Sequence, residues 1–244
     1  MGFCISAFVF CPTDPQAEVE AILAAHGMVL GHDEFKSSTW AQTNSRNAAL
    51  RDELKDLLLK SGKIGIAISK SPREIPEDAG DLLVKMLRHL RVGNGPHSVF
   101  IDEGIFARAA DRTHLQSILN DSKCTIHAEQ DSKAIAGIQL ADLAAHTCSI
   151  MMKDALGLVT KKVTVGENSG YDPNMDTELG FMMFASIRYC FLGKARPYDD
   201  SVPQSQWAYT DLTDYGLVVG KYLEESVSAA ALSRFASIYI GCIH

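Results

Sequence analysis

The chain has 244 residues, enough for one large domain or for one domain with a sizeable extension. Hydrophobic residues make up 46% and charged residues 22%, which excludes disorder as the dominant state. The net charge of -7 argues against binding nucleic acid by bulk electrostatics, although bound divalent metals can offset local carboxylate charge.

In chain order, Phe3 to Cys11 reads as an apolar, β-branched strand that stops at Pro12. Met1-Gly2-Phe3-Cys4-Ile5-Ser6 formally fits the N-myristoylation pattern, but a buried strand with a chance match is the preferred reading. Asp14-Pro15 opens a helix carrying Val19, Ile22 and Leu23, and Gly27 can end it. His32 to Ser38 is a polar loop or strand end. A second helix runs from about Ser45 to Lys60, with Leu50, Leu54, Leu57 and Leu58 at helical spacing. Ile64 to Ser69 is a short strand. A third helix carries Leu82, Leu83, Met86, Leu87 and Leu90, and Gly93-Asn94-Gly95-Pro96 marks a turn.

Ser98 to Asp102 is a compact strand ending in the carboxylates Asp102 and Glu103. A short helix covers Thr113 to Asn120, and Cys124 to Glu129 is a further strand. Asp131-Ser132-Lys133 leads into a helix over Ala134 to Met152. Strands separated by helices predict an α/β sheet. Beyond Leu156 the spacing predicts loops at Gly166 to Asn174 and Ala195 to Gln206, helices at Thr177 to Leu192 and Leu217 to Phe235, and a last strand over Ser237 to Ile243.

The acids attract the chemistry. Ile135, Ile138, Asp142, Ala145, Ser149 and Met152 share one helical face by their spacing, which predicts that Asp142 faces the sheet. A carboxylate buried there needs a hydrogen-bond donor, a cation or a metal. Gln139 and His146 are its neighbours along the helix, and a bond to backbone or to Lys133 would serve equally. Asp102 falls at the carboxyl end of a strand, where α/β proteins gather ligands, or else serves as a turn residue with Glu103-Gly104. Asp131 is either a third acid or the cap of the following helix. Such a cluster suits Mg²⁺ or Mn²⁺, with Lys133 or Lys36 available for a phosphate. His127 and His146 are further candidates for the same acidic site.

Other constellations are missing from the sequence. The six cysteines make no C-x-x-C pair and no zinc-finger spacing with histidine, so a reducing, cytoplasmic setting is expected rather than a disulfide scaffold. There is no Walker loop, no G-x-G-x-x-G, no G-x-S-x-G and no run long enough to span a bilayer.

Ile126-His127-Ala128-Glu129-Gln130-Asp131-Ser132-Lys133, followed by Gly137-Ile138-Gln139-Leu140-Ala141-Asp142-Leu143, resembles the D-S-K…G-L-Q-L-A-D-L signature of the bacterial Domain of Unknown Function 3800 family. Phe100-Ile101-Asp102-Glu103 is similar to that family's middle strand, and Glu34-Phe35-Lys36-Ser37-Ser38 to its polar segment before the second helix. The resemblance covers roughly residues 3 to 155. It implies a ribonuclease-H-like fold and a suspected nuclease in a mobile-element or phage-defence context. It also implies metal ligation by Asp102, Asp131 and Asp142, with Glu103 or Glu34 as helpers. The family's opening strand, ending in D-E-S-G, has no counterpart here; the C-terminal run Ile238-Tyr239-Ile240-Gly241 is a candidate to fill its central place.

The resulting expectation is a ribonuclease-H-like mixed sheet flanked by helices over residues 1–156, with a mainly helical extension over 157–244 packed on it. The expected activity is metal-dependent hydrolysis of DNA or RNA phosphodiesters. The alternative is a catalytically degenerate binding or assembly module. Its expected partner is a protein or a second copy of the chain, met through extension aromatics among Phe181, Phe184, Tyr189, Phe191, Trp207 and Tyr215, most of which are expected in the core instead. No membrane partner is expected; a third reading, a lipid-anchored peripheral protein, requires Gly2 to be acylated.

Overall fold

In the computed structural model, which describes residues 2–37, 45–90, 96–119, 123–166 and 172–242, the elements follow in this order. The first two thirds contain β1 (Cys4–Phe10), α1 (Gln16–Ala25), α2 (Ser45–Ser61), β2 (Lys63–Ser69), α3 (Ile75–Leu90), β3 (His97–Asp102), α4 (Ala109–Ile118), β4 (Cys124–Gln130) and α5 (Ile138–Ala155). The remainder contains β5 (Lys162–Thr164), β6 (Asp176–Glu178), α6 (Leu179–Ile187), β7 (Lys194–Ala195), α7 (Gln204–Trp207), β8 (Tyr209–Asp211), β9 (Leu217–Val219), α8 (Glu225–Phe235) and β10 (Ser237–Tyr239). The fold is mixed α/β, with several small sheets rather than one large one.

The first sheet has the order β1-β2-β9, with β1 antiparallel and β9 parallel to β2. Alternation along β2 sorts its side chains. Ile64, Ile66 and Ile68 enter the largest core cluster with Cys148 and Met151 of α5, Ile187 of α6 and Phe235 of α8. Ala67 turns the other way, onto Leu82 and Met86 of α3. Helix α3 can sit this close because residue 65 is glycine; a Cβ there would drive into the Met86 thioether. A second cluster joins Val19 and Leu23 of α1, Leu50 and Leu54 of α2, and Leu140 and Leu143 of α5 around Phe35. The parallel pair β3-β4 forms a separate ladder, tied to the rest by a third cluster in which Phe8 of β1 packs against residues of α3, β3 and α4, among them Leu83, Ile101 and Leu115.

Most of the predicted elements form within a few residues of their expected ends. Asp14 starts α1 by accepting the Gln16 N–H at 2.9 Å, and Gly27 follows its end with φ +65°. The predicted turn over residues 93–95, and parts of the loop at 166–174, lie outside the described residues.

Four expectations need correction. Leu217 to Phe235 is not one helix: Leu217–Val219 is a strand on β2, and the helix begins only at Glu225. The open edge of β2 captures these apolar residues, and Gly220 closes the strand, where a Cβ would come within 2.6 Å of Asp78 Oδ2. Thr177–Glu178 belongs to β6 before α6 starts. The segment after Leu156 is mixed rather than mainly helical, with six short strands among its described residues. Finally, β10 pairs with β8 and not with β1, so the C-terminal strand does not fill a place beside β1. Among the described residues no helix is long and apolar enough to cross a membrane.

The contact between α3 and β2 carries a buried carboxylic acid. Asp78 is only 7% exposed, stands beside Ser69, and leaves Oδ2 without a hydrogen-bond partner among the described residues. Burial raises its pKa above the ordinary 3.8, and the charges of Glu77, Asp81 and Glu74 push the same way. The folded protein therefore holds this proton more tightly than the unfolded chain. The resulting penalty is absent below the ordinary value and grows as pH rises through the raised one. Asp78→Asn removes it, so the melting temperature of the variant relative to wild type should climb between pH 3.5 and pH 7, on the order of that window. A flat difference in thermal denaturation across that range would refute the assignment.

Candidate acidic site

The site is built on the polar end of α5. Residues 131–137 make successive turns, so the helix starts at Ile138 and not at Ala134 as the spacing predicts. Its buried face runs through Leu140, Leu143, Ala144, Thr147, Cys148, Met151 and Met152. Asp142 lies off that face and is exposed, which corrects the expectation that it packs on the sheet. The reason is angular: the core clusters draw in the wide stripe 140/143/144/147, and 142 falls on the opposite side of the helix.

Gln139, by contrast, is 1% exposed and fully used. Its Oε1 accepts the Phe35 N–H at 3.0 Å, and its Nε2 donates to the Ser132 carbonyl at 2.9 Å. Together with the burial of the Phe35 ring, this fastens residues 34–37 against α5. The segment then alternates: Phe35 and Ser37 point inward, while Glu34 and Lys36 are the more open positions. Ser37 donates its Oγ proton to Asp142 Oδ2 at 3.0 Å, supported by its backbone N–H at 3.4 Å. Ser132 donates to Glu34 Oε1 at 2.6 Å, and Lys36 Nζ sits 3.1 Å from Glu34 Oε2.

Asp102 arrives from the end of β3. Burial raises its pKa, and the charges of Glu34, Asp142 and Glu103 add to the rise against a bond from the Glu103 N–H. Lys36 in turn feels Glu34 first and then Asp142 and Asp102. Glu34, Asp102 and Asp142, from a loop, a strand end and a helix, thus lie within electrostatic reach of one another, with Glu103 adding its charge. The β3-β4 register slips between Phe100 and Asp102, and Glu129 on the bulged strand adopts φ +56°. A non-glycine residue rarely takes that conformation, and bulges of this kind re-aim side chains beside functional sites. Here Glu129 Oε2 accepts the Gly104 N–H at 3.2 Å, which holds the turn that follows Asp102.

The remaining predicted residues fall outside this group. Asp131 is exposed and its Oδ1 accepts the Lys133 N–H at 2.9 Å, a local turn rather than the helix cap weighed from sequence, because α5 begins only at Ile138. Lys133 is exposed. His127 stacks on Phe100, with ring centroids 4.7 Å apart, instead of joining the acids. His146 is half-buried one turn beyond Asp142; burial lowers its pKa, with Asp142 opposing and Lys153 and Arg51 reinforcing. Sequence reasoning assigned no role to Ser37, Ser132 or Glu129. The two serines stand inside the quoted E-F-K-S and D-S-K runs, but a hydroxyl's partner is set by tertiary contact.

Oxygen is the only donor type at Glu34, Asp102 and Asp142, which suits hard cations such as Mg²⁺ or Mn²⁺. Among the described residues, however, no three His, Cys, Asp or Glu side chains stand close enough together to hold a metal ion as placed. The Lys36 ammonium supplies positive charge at Glu34 instead.

Gln139→Leu keeps the volume of the side chain but orphans the Phe35 N–H and the Ser132 carbonyl. It should destabilise the fold by roughly 2–4 kcal/mol in urea denaturation. A loss within error of zero would show that the segment is not held by these bonds. No protein-family model, no curated protein and no solved structure matches the chain.

Proposed function

We propose that the chain is a metal-dependent phosphodiesterase of ribonuclease-H-like architecture, acting on DNA or RNA. The observation that carries this reading is that Glu34, Asp102 and Asp142, from three different elements, feel one another's charge, with Lys36 paired to Glu34. Glu34 takes the third place that the resemblance implies for Asp131. Magnesium or manganese at such a site supplies an activated water and charge stabilisation at the leaving oxygen. The chain's own residues do the rest. Ser37 and Ser132 fix the orientations of the Asp142 and Glu34 carboxylates, and the Lys36 ammonium, 64% exposed, would orient a phosphodiester oxygen. In this architecture a further strand between β1 and β3 would unite the two ladders; none of the described strands pairs there.

A second reading, a catalytically degenerate binding module, is favoured by the Lys36–Glu34 ion pair and by the lack of a closed ligand set among the described residues.

Titration of Mn²⁺ into wild type, Glu34→Gln, Asp102→Asn and Asp142→Asn, followed by calorimetry and thermal shift, separates the two. The nuclease reading expects saturable binding and a raised melting temperature in wild type, with affinity falling about tenfold or more in each variant. Affinity should also fall as pH drops towards the raised pKa of Asp102, because the proton competes with the cation. Metal-dependent cleavage of labelled single-stranded DNA, duplex DNA or RNA should follow the same order of variants. No Mn²⁺ binding and no cleavage by wild type would leave the binding module.

A further inference from the structure

A cavity of about 610 Å³, remote in sequence from the acids, lies against the loop between β7 and α7. Its walls include Tyr198, Asp199, Trp207, Arg196 and Asp211. The Tyr198 and Trp207 rings meet edge to face, with centroids 5.1 Å apart and planes at 61°. Tyr198 is 71% exposed, unusual for a large aromatic with no role in the core.

The charge of the cavity decides what it can take. Arg196 is spent: its Nε and Nη2 reach Asp211 at 3.0–3.2 Å, Nη2 also reaches Ser237 Oγ at 3.0 Å, and Nη1 donates to the Gln206 carbonyl at 3.3 Å. Asp211 is spent with it. Among the described residues Asp199 makes hydrogen bonds only to Ser201, through its backbone N–H at 2.9 Å and its hydroxyl at 2.6 Å, and has no cationic partner. Beside the Arg196–Asp211 pair, Pro197, Val202 and Gln206, the lining therefore presents two aromatic rings and one carboxylate without a cationic partner among the described residues. Such a surface repels phosphate and attracts weakly hydrated cations to the ring faces. The adjoining wall already shows the geometry from within the chain: the Arg196 guanidinium lies over the Tyr209 ring, 4.8 Å from its centroid.

We propose that the Tyr198–Trp207–Asp199 cavity is a binding site for an organic cation, of the guanidinium or methylated-ammonium class. An arginine or a methylated lysine of a partner polypeptide would present this chemistry, as would a free quaternary amine. The site is independent of the acidic cluster and stands whether or not that cluster cleaves phosphodiesters.

The test follows Trp207 fluorescence in a Trp40→Phe background while N-acetyl-arginine amide, butyltrimethylammonium, potassium chloride or adenosine monophosphate is added at constant ionic strength. Saturable quenching by one or both organic cations, but not by potassium, is the expected result, and which of the two responds names the source. Tyr198→Ala should weaken it about tenfold. Asp199→Asn keeps an acceptor for Ser201 while removing the charge, and should also weaken it. Circular dichroism and melting temperatures matching the parent show that the variants fold, so that a loss can be read as a loss of binding. Equal responses to potassium and the organic cations, tighter binding of the nucleotide, or an unchanged response in Asp199→Asn would overturn the proposal.

Discussion

Helix α5 is the element on which the rest depends, because its two faces do different work. Leu140, Leu143, Cys148 and Met151 bind together two core clusters, which helix α2 also joins through Leu50, Leu54 and Leu58. Each such burial is worth about 1.5–3 kcal/mol, so the helix cannot rotate to suit its polar residues. With the apolar stripe set, Gln139 is forced inside and Asp142 outward. The buried amide must then find partners, and the Phe35 N–H and the Ser132 carbonyl are the ones it finds. Packing thereby dictates where the acidic edge forms.

That edge gathers like charges and needs offsets. Asp102 and Glu34 are only partly exposed, while Asp142 reaches solvent, which keeps the self-repulsion modest. Hydroxyl donors on Asp142 and Glu34 and the ammonium of Lys36 supply the remainder. An arrangement that leaves Asp102 with a raised pKa is one that a cation would relieve, which is the physical basis of the proposed activity.

The segment beyond Leu156 does not sit outside this economy. Strand β9 completes the first sheet, Lys85 Nζ of α3 bonds the Thr213 and Leu217 carbonyls at 2.8 and 3.0 Å, and Ile187, Phe191 and Phe235 join the largest cluster. Of the aromatics expected to form an interface, Phe191 is core and Phe184 packs on it, whereas Tyr189 is 51% exposed. The rings that line a cavity are the exposed Tyr198 and its half-buried neighbour Trp207.

Local pattern was enough to determine the α/β class, β1 to β4, the first three helices and the turn at Glu103-Gly104. Those rest on apolar periodicity, capping residues and glycine, which act over a few residues. The acids Asp102, Asp142 and Glu34 were legible as candidates through their strand-end, helix and loop settings. Tertiary structure alone decided the rest. Whether Leu217 to Val219 becomes helix or strand depends on the open edge of β2, some 150 residues earlier. Whether Asp142 faces the core depends on which neighbouring residues win the packed stripe. Whether Asp131 or Glu34 stands with the other two carboxylates depends on a loop fastened from a hundred residues away. Each of these is a competition among distant surfaces for the same contact, and one-dimensional spacing records only the competitors.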